Sequence, residues 1–361
     1  MKFDAILNTP PAWLSEMNDP DGIVIGSIVR MVRNLPGFPF PGWSTSESRA
    51  AVADSLIPAI KGIRGFKSAF CAEMNTLSYG QRRALLTRKF LTPCMAARQD
   101  GCHIIIPQRK NMILMVNEEE HLVMHAFHDG FDVDKCVQSL HQFESQLSEQ
   151  ISFAYTTQNG YLTSIPSEAG DGLQLYILLH LPALSFANMM GQVTKALEKL
   201  HVNISPYFSD GQDDTGNLFI LFSIPGPEDS LDEISDNFTE VIDHLVNRER
   251  QVRRRLLHDK DLNIHDAIGR FYGVLTHCRR LSTKDMRDGF SMLRLGTLLG
   301  IIQWESSVTD MINAMQCFLL QQTTRTALAE EEDSVKLSIE RATAVRDFIN
   351  NNPHKLSYTT V

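Results

Sequence analysis

Several features are scarce in this sequence of 361 residues, and each scarcity excludes a class of protein. The six cysteines are scattered and none forms a C-x-x-C pair, so we expect neither a disulfide framework nor a zinc site. The apolar runs fall short of the roughly 18 residues that span a bilayer. The first residues lack a basic stretch followed by an apolar core, which argues against a secretion signal. The sequence therefore predicts a cytoplasmic protein that does not enter a membrane.

Positive charge is also in short supply, because 43 acidic residues outnumber 34 basic ones and the formal net charge is -9. A nucleic-acid partner is therefore not expected. The densest basic stretch, Arg248–Arg255, has helical surroundings and is interpreted as a solvated helix face. Core-forming residues are plentiful, since hydrophobic residues make up 43% of a chain that is long enough for two domains.

Strand signals dominate the first part of the chain and helix signals the last part. Ile104–Ile106 and Met112–Val116 flank a polar tip, which is typical of a β-hairpin. After about residue 230 only helical periodicity remains. The sequence therefore predicts an α+β domain over residues 1–230, followed by an all-helical domain over residues 231–361. The same patterns predict a short strand at Ile23–Ile25 and helices at Leu184–Leu200 and Val308–Leu320.

Two segments, Asn117–His121 and Gly160–Pro166, resemble the catalytic segments of ATP:guanidino phosphotransferases. The resemblance is closest to the bacterial protein-arginine kinases and extends over nearly the whole chain. It implies a glutamine-synthetase-like α+β catalytic domain with a mostly antiparallel sheet flanked by helices, then the helical C-terminal domain of that subfamily. The motifs that carry it occur in the family's order: Val24–Asn34, Leu91–Pro93, Asn117–His121, Gly160–Leu173, His180–Leu184, Gly216–Asn217, Tyr272–Leu275 and Leu293–Gly296.

The resemblance implies that the γ-phosphoryl group of Mg-ATP is transferred to a guanidinium nitrogen. Such a transfer depends on positioning and on neutralising charge. Glu119 occupies the position of the family's catalytic carboxylate, and Asp210 lies in the segment that resembles the family's glutamate-containing specificity loop. Ser27, Arg30 and Arg33 match the nucleotide-binding strand and are the candidate contacts to the phosphates.

Most of the arginines that hold the phosphates in this family are replaced here. A hydrogen bond to a charged group contributes about 1.5–3 kcal/mol, so losing three of them lowers nucleotide affinity on the order of a thousandfold. Three arginine positions of the family correspond here to Ile28, Val123 and Gln174. Other family residues are also replaced: a histidine corresponds to Phe90, a cysteine to Ile165, and a Thr-Asn pair to Ser167-Glu168. Glu168 adds a negative charge beside a site for a polyanion, which would repel phosphate.

The phosphoarginine-binding motif of protein-arginine kinases, Arg-Asp-x-x-Arg-Ala, is only partly present. Arg341 and Ala342 fit this motif, but Leu337 and Ser338 replace its leading pair. Arg341 is therefore interpreted as a surface helix residue, with a phosphoarginine contact as the alternative. The resemblance also implies protein partners, namely a zinc-finger activator protein and a Clp-type protease system. Some relatives dimerise through their helical domains, and the sequence leaves a homodimer open.

Three functions remain open from the sequence. The favoured one is a protein-arginine kinase homologue without an effective phosphate clamp, which acts as a binding or regulatory protein with no cofactor. The alternative is an active kinase that uses Mg-ATP, either with Arg30 and Arg33 alone or with Arg88 or Lys89 in place of the lost arginines. The third is a cleft in which carboxylates such as Glu118 and Asp213 receive a cationic ligand. No spacing of histidine and aspartate supports a metal site.

Overall fold

The computed structural model describes residues 3–8, 13, 21–98, 100–208, 216–223, 231–258, 262–304, 311, 331–352 and 354–356. The chain divides into two compact units, each of which gathers separate stretches of the sequence. The first unit comprises Met1–Ser15, Gly26–Ile177 and Phe222–Phe238. The second comprises Glu16–Ile25, Leu178–Leu221 and Thr239–Val361.

An eight-stranded sheet is the main β-structure, with the strand order β2-β3-β4-β5-β1-β8-β10-β9. The ladders that join β2 to β3, β3 to β4, β4 to β5 and β5 to β1 are antiparallel. Two further pairs, β6-β7 and β11-β12, form separate two-stranded ladders. The strands are β1 (Val24–Arg33), β2 (Phe70–Glu73), β3 (His103–Ile106), β4 (Met112–Val116), β5 (Leu122–Asp129), β6 (Tyr155–Thr156), β7 (Gly160–Tyr161), β8 (Leu173–His180), β9 (Val202–Pro206), β10 (Leu218–Ser223), β11 (Ile302–Trp304) and β12 (His354–Leu356).

Several helices begin where a polar side chain caps the first turn. Ser78 forms a capping box with Gln81, and Thr45, Asp132 and Ser282 each accept a hydrogen bond from a backbone N–H of the helix that follows. None of the helices in the described ranges is long and apolar enough to cross a bilayer. The helices are α1 (Phe3–Asn8), α2 (Ser46–Gly62), α3 (Tyr79–Thr87), α4 (Pro93–Ala97), α5 (Val133–Ser148), α6 (Pro182–Phe186), α7 (Met190–Glu198), α8 (Leu231–His258), α9 (Leu262–His277), α10 (Thr283–Leu298) and α11 (Glu331–Asn351).

The predicted fold class is confirmed, since a mostly antiparallel sheet flanked by helices is followed by a helical C-terminal region. Three elements differ from the prediction. The first strand runs to Arg33 instead of ending at Ile25. The single helix predicted over Leu184–Leu200 is wrong, because Asn188 has a φ of 55° and separates α6 from α7. The β11-β12 ladder was not predicted, and the predicted helix at Val308–Leu320 lies outside the described residues apart from Met311.

Strand β1 is the element that positions the candidate site. All ten of its residues are buried, and it lies between β5 and β8 in the sheet. Its register with β5 is continuous from Gly26 to Arg33, so successive side chains alternate between the two faces of the sheet. Ile28, Arg30 and Val32 therefore share one face, which we call the Arg30 face.

Candidate functional site

The candidate catalytic glutamate lies in the tight turn that joins β4 to β5. Asn117 adopts a φ of 61°, and its backbone N–H donates to the carbonyl of His121 at 3.0 Å. The Asn117 side chain amide donates to the carbonyl of Gly101 at 2.7 Å, which fixes the turn against the chain before β3. The structure thus places Glu118, Glu119 and Glu120 within one constrained turn at the end of the predicted hairpin.

Two of these three carboxylates serve as hydrogen-bond acceptors inside the unit. Glu118 accepts from the hydroxyl of Thr92, and it also accepts from the backbone N–H of Glu119 at 2.6 Å. Glu120 accepts from the side chain amide of Asn34 at 2.6 Å and from the hydroxyl of Ser164 at 2.7 Å. These bonds tie the turn to two other segments of the site.

Glu119 differs from its neighbours because 46% of its side chain is exposed. Partial burial raises the pKa of its carboxyl above the ordinary value of 4.5, and the nearby charges of Glu118 and Glu168 add to the rise. Arg30 opposes this effect, with its guanidinium 4.0 Å from the Glu119 carboxylate. Glu119 is therefore an accessible carboxylate whose neighbours carry more negative than positive charge.

His121 is a neutral structural group that supports the turn. Its Nδ1 accepts from the backbone N–H of Leu35 at 3.0 Å, so Nε2 carries the proton and donates to the carbonyl of Pro39 at 3.0 Å. Burial lowers its pKa, in keeping with the neutral form. The ring of Phe40 stacks on the imidazole, with ring centroids 6.4 Å apart.

Arg30 is the candidate phosphate contact that lies beside Glu119, and its guanidinium already forms an ion pair with a carboxylate of the same chain. Its guanidinium donates to Glu168 at 2.8 Å. Although burial alone would lower the pKa of Arg30, the charge of Glu168 raises it overall, because the ion pair stabilises the protonated form. Burial also raises the pKa of the neighbouring phenol of Tyr176 to about 12. This phenol donates to the side chain of Gln174 at 2.5 Å.

Replaced arginine positions lie on the Arg30 face, and the residues that now occupy them carry no charge. Ile28 pairs with Phe127 across the β1-β5 ladder, and Val32 pairs with Val123. Phe127 makes an edge-to-face contact with Phe90, with ring centroids 5.9 Å apart. An apolar and aromatic lining therefore stands on this face where a triphosphate would need cations.

The structure does not bring Ser27 and Arg33 together with Arg30, because strand alternation places both on the opposite face. The hydroxyl of Ser27 donates to the carbonyl of Gly130 at 2.8 Å and accepts from the backbone N–H of Asp132 at 2.9 Å. Ser27 thereby anchors the turn that precedes α5. Its role as a nucleotide contact stays a prediction.

Arg33 is almost fully buried and has partners on several sides. Its guanidinium forms an ion pair with Glu144 of α5 and donates to the carbonyl of Asp171 at 2.8 Å. The same group lies over the ring of Tyr161, 3.5 Å from the ring centroid. Although burial alone would raise the pKa of Glu144, the hydrogen bond and charge of Arg33 lower it overall. These contacts connect β1 to α5 and to the Gly160–Leu173 segment.

Arg88, one proposed replacement for the lost arginines, lies close to Lys110. Burial lowers the pKa of Lys110 to about 8, and the charge of Arg88 adds to this effect. The ammonium of Lys110 donates to the carbonyl of Ala5 at 2.7 Å and to that of Ile6 at 3.2 Å. Arg88 itself is fully buried. Lys110 therefore binds the backbone of α1, and Arg88 lies beside it.

Two candidates remain, Asp210 and Arg341. Asp210, together with Asp213, lies outside the described residues. Arg341 of α11 donates to the carbonyl of Leu281 at 2.6 Å, and burial lowers its pKa to about 10, aided by the charge of Arg287. Across the described ranges, no group of three or more His, Cys, Asp or Glu side chains could hold a metal ion.

Comparison with known proteins identifies the family. Residues 52–252 match the model of the ATP:guanido phosphotransferase C-terminal catalytic domain, which is more than half of the chain. The chain belongs to the ATP:guanido phosphotransferase family. Residues 261–359 match a second model, the protein-arginine kinase McsB C-terminal domain. The chain is therefore a protein-arginine kinase homologue within this family.

Curated relatives of this protein-arginine kinase homologue match most of its length. A protein-arginine kinase of Desulforamulus reducens is 30% identical over 83% of this chain and 85% of the relative. One from Shouchella clausii is 27% identical over 92% of this chain and 94% of the relative. Among solved structures, lombricine kinase matches with a TM-score of 0.55 and 18% identity over 69% of this chain and 76% of that chain. A duplicated taurocyamine kinase of Schistosoma mansoni matches with a TM-score of 0.56 and 19% identity over 65% of this chain and 34% of that chain. The two structures support the fold.

Sequence reasoning missed three residues that build this candidate site. Asn34 connects Glu120 to the carbonyl of Leu162, and Tyr176 lies beside Arg30. His125 pairs directly with Arg30 across the β1-β5 ladder. A signal for His125 and Tyr176 was available, since extending the first strand and applying strand alternation would have placed them next to Arg30.

Proposed function

We propose that this protein-arginine kinase homologue does not transfer phosphoryl groups and acts as a binding or regulatory protein without a nucleotide cofactor. The observation that carries the proposal is the ion pair between Arg30 and Glu168, 2.8 Å between nitrogen and oxygen. A nucleotide phosphate would have to displace this carboxylate and would then lie beside Glu119. Both effects oppose the binding of a polyanion.

The residues around Arg30 support the same proposal. Phosphoryl transfer needs several cations on the transferred group, usually bidentate arginines or bound magnesium. On the Arg30 face, Ile28 and Val123 cannot donate a hydrogen bond from their side chains, and the Gln174 amide donates to the carbonyl of Ser223 at 3.1 Å. A single arginine that is already paired provides a small part of the required neutralisation.

One observation favours the second candidate, an active protein-arginine kinase that uses Mg-ATP. Glu119 is accessible, and its raised pKa brings its carboxylate closer to the range of a general base. In this candidate Glu119 would orient the guanidinium and remove its proton, with Asp210 as a second carboxylate and with Arg30 and Arg33 on the phosphates. We rank it second because its phosphate contacts require Arg30 to leave Glu168.

The partners of this protein are also part of the proposal. Its relatives are named as protein-arginine kinases, which suggests a protein as the bound molecule. A zinc-finger activator protein and a Clp-type protease system are the partners that the family resemblance implies. A homodimer through the helical region is a further element of the proposal. For Arg341 we favour a structural role on its helix, where it donates to the carbonyl of Leu281, over a phosphoarginine contact.

The test is a search for phosphoarginine by mass spectrometry after the purified protein is incubated with Mg-ATP and an arginine-rich protein. Wild type, Glu119→Gln and the matched exposed control Glu149→Gln are compared. We expect no phosphoarginine from any of them. Phosphoarginine from wild type and Glu149→Gln that disappears in Glu119→Gln would establish the active kinase instead.

A further inference from the structure

An open groove lies between α3 and α4 in the first unit. Its volume is about 270 Å³, and both helices belong to that unit. None of the residues assigned above to the candidate site lines it. Its lining combines apolar, aromatic and basic side chains, namely Leu77, Leu86, Ala96, Tyr79, Arg82 and Arg83. The groove is therefore a separate surface feature with its own chemistry.

The groove uses the face of α3 that does not pack against the core. Ala84 and Leu85 are buried and mark the side of α3 that faces the interior. With about 3.6 residues per turn, the other side of the helix carries a different set: Tyr79, Arg82, Arg83 and Leu86. Tyr79 is 62% exposed although it is aromatic. Helix α3 therefore presents a second, partly apolar face to solvent.

Arg82 is held in the groove by backbone carbonyls and not by a carboxylate. Its Nε donates to the carbonyl of Leu77 at 3.2 Å, and its Nη1 donates to the carbonyls of Ala96 at 3.2 Å and Arg98 at 3.3 Å. These acceptors are neutral, so they leave the positive charge of Arg82 uncompensated. A guanidinium has five N–H donors, and no residue of the described ranges accepts from Nη2. Arg82 is therefore fixed in position with donors available for a ligand.

Arg83 adds a second positive charge, and it forms no ion pair within the described part of the chain. It is exposed, and its guanidinium lies over the Tyr79 ring, 5.8 Å from the ring centroid. The chain as a whole carries a net charge of -9. Two uncompensated arginines beside one groove therefore form a positive patch on an acidic protein, and such a patch attracts anionic groups.

The apolar lining distinguishes the ligand from a simple anion. Leu77 is buried, and Leu86 and Ala96 are half-buried. A phosphate ion would pair with the arginines but would leave this apolar surface in water. A peptide that carries a leucine between acidic residues would satisfy both parts of the groove. Arginine and tyrosine are also among the residue types that contribute most to binding at protein interfaces.

We propose that the groove between α3 and α4 docks an acidic segment of a partner protein, with an apolar side chain of that segment in the groove and its carboxylates on Arg82 and Arg83. The docking involves no nucleotide and no covalent step. It therefore goes beyond the proposed function and does not depend on it.

The test is a calorimetric titration of the full chain with a capped seven-residue peptide that has a central leucine and three glutamates on each side. Two matched control peptides replace the glutamates by glutamines, or the leucine by alanine. Because charged hydrogen bonds and burial of the leucine both contribute, we expect each control to bind at least about tenfold more weakly. Added salt should weaken the glutamate peptide and leave the glutamine peptide unchanged. Equal binding of the three peptides, or no binding of the glutamate peptide, would overturn the proposal.

Two variants connect the binding to the groove. Arg83→Glu should weaken the glutamate peptide at least about tenfold. The matched control Arg64→Glu makes the same change in net charge at another exposed arginine, and it should stay within about twofold of wild type. Tyr79→Ala should weaken the peptide about fivefold or more. Because Tyr79 and Arg83 are exposed, both variants should unfold in urea as wild type does, so a loss of affinity reports on the groove. Unchanged affinity in both variants would overturn the proposal.

The same preparations distinguish two other occupants of the groove. Binding of inorganic phosphate that Arg83→Glu abolishes, without binding of the peptide, would indicate a site for small anions. A dimer in analytical ultracentrifugation that Arg83→Glu dissociates would make a second copy of the chain the occupant. Either result would overturn the proposal.

A parallel titration with Mg-ATP keeps the docking proposal separate from the proposed function. Saturable binding of Mg-ATP by wild type would refute the proposed function and leave the docking proposal standing. Failure of the glutamate peptide to bind would refute the docking proposal and leave the proposed function standing.

Discussion

The contacts of Arg33 predict that it stabilises the fold and does not hold a phosphate. Its guanidinium and the Glu144 carboxylate are both buried, and two backbone carbonyls accept from the same guanidinium. Removing one partner of a buried ion pair costs about 3–5 kcal/mol, because a charge is left without compensation. Arg33→Met should therefore lower the free energy of unfolding of the first unit by about that amount, a large share of the ordinary 5–15 kcal/mol.

The double variant Arg33→Met/Glu144→Met gives the matched control. It removes both charges and keeps a similar volume, and such replacements are often close to neutral. We expect it to recover most of the loss, short of about 1–2 kcal/mol for the carbonyls that lose their donor. Urea unfolding gives the free energies, and hydrogen exchange in β1 and α5 locates the effect. Unchanged stability in Arg33→Met, together with weaker Mg-ATP binding, would refute this reasoning.

Acidity provides a further check on the same pair. The pKa of Glu144 is lowered in the folded protein, so its contribution is complete above the unfolded value and is lost as the pH falls through the folded value. Wild type should therefore lose more stability on acidification below about pH 4.5 than the double methionine variant does. Parallel pH profiles would contradict the assignment.

One other outcome is expected. Asn34→Ala should lower the free energy of unfolding by about 2–4 kcal/mol, because the Asn34 side chain hydrogen-bonds to Glu120, Leu162 and His121. Urea unfolding measures this loss. An unchanged free energy of unfolding would mean that water replaces the amide.

The sequence predicts the elements that depend on local pattern. The hairpin of β3 and β4 follows from alternating apolar residues around a polar tip, and it correctly places Glu119 at the end of a strand. The apolar pattern predicts only a short strand at Ile23–Ile25, because Ser27 and Arg30 interrupt it, whereas the family resemblance places both residues on the strand. In the structure the strand lies between β5 and β8 with all its residues buried. Its polar side chains obtain hydrogen-bond partners from distant segments.

The arrangement within the candidate site depends on distant contacts and could not be predicted from the pattern. Arg30 and Glu168 are separated by 138 positions, and Arg33 and Glu144 by 111. The sequence showed that Glu168 adds a negative charge near the site, but not that this charge pairs with the retained arginine. Strand alternation, applied to the strand that the resemblance implies, is enough to separate Ser27 and Arg33 from Arg30.

The most direct test of the central claim is a calorimetric titration of the purified wild-type chain with Mg-ATP, with Glu168→Asn measured alongside. The account predicts no saturable binding by wild type, because Glu168 occupies Arg30 and the neighbouring positions lack cations. It predicts measurable binding by Glu168→Asn, in which Arg30 is released. Micromolar binding of Mg-ATP by the wild-type chain would contradict the account.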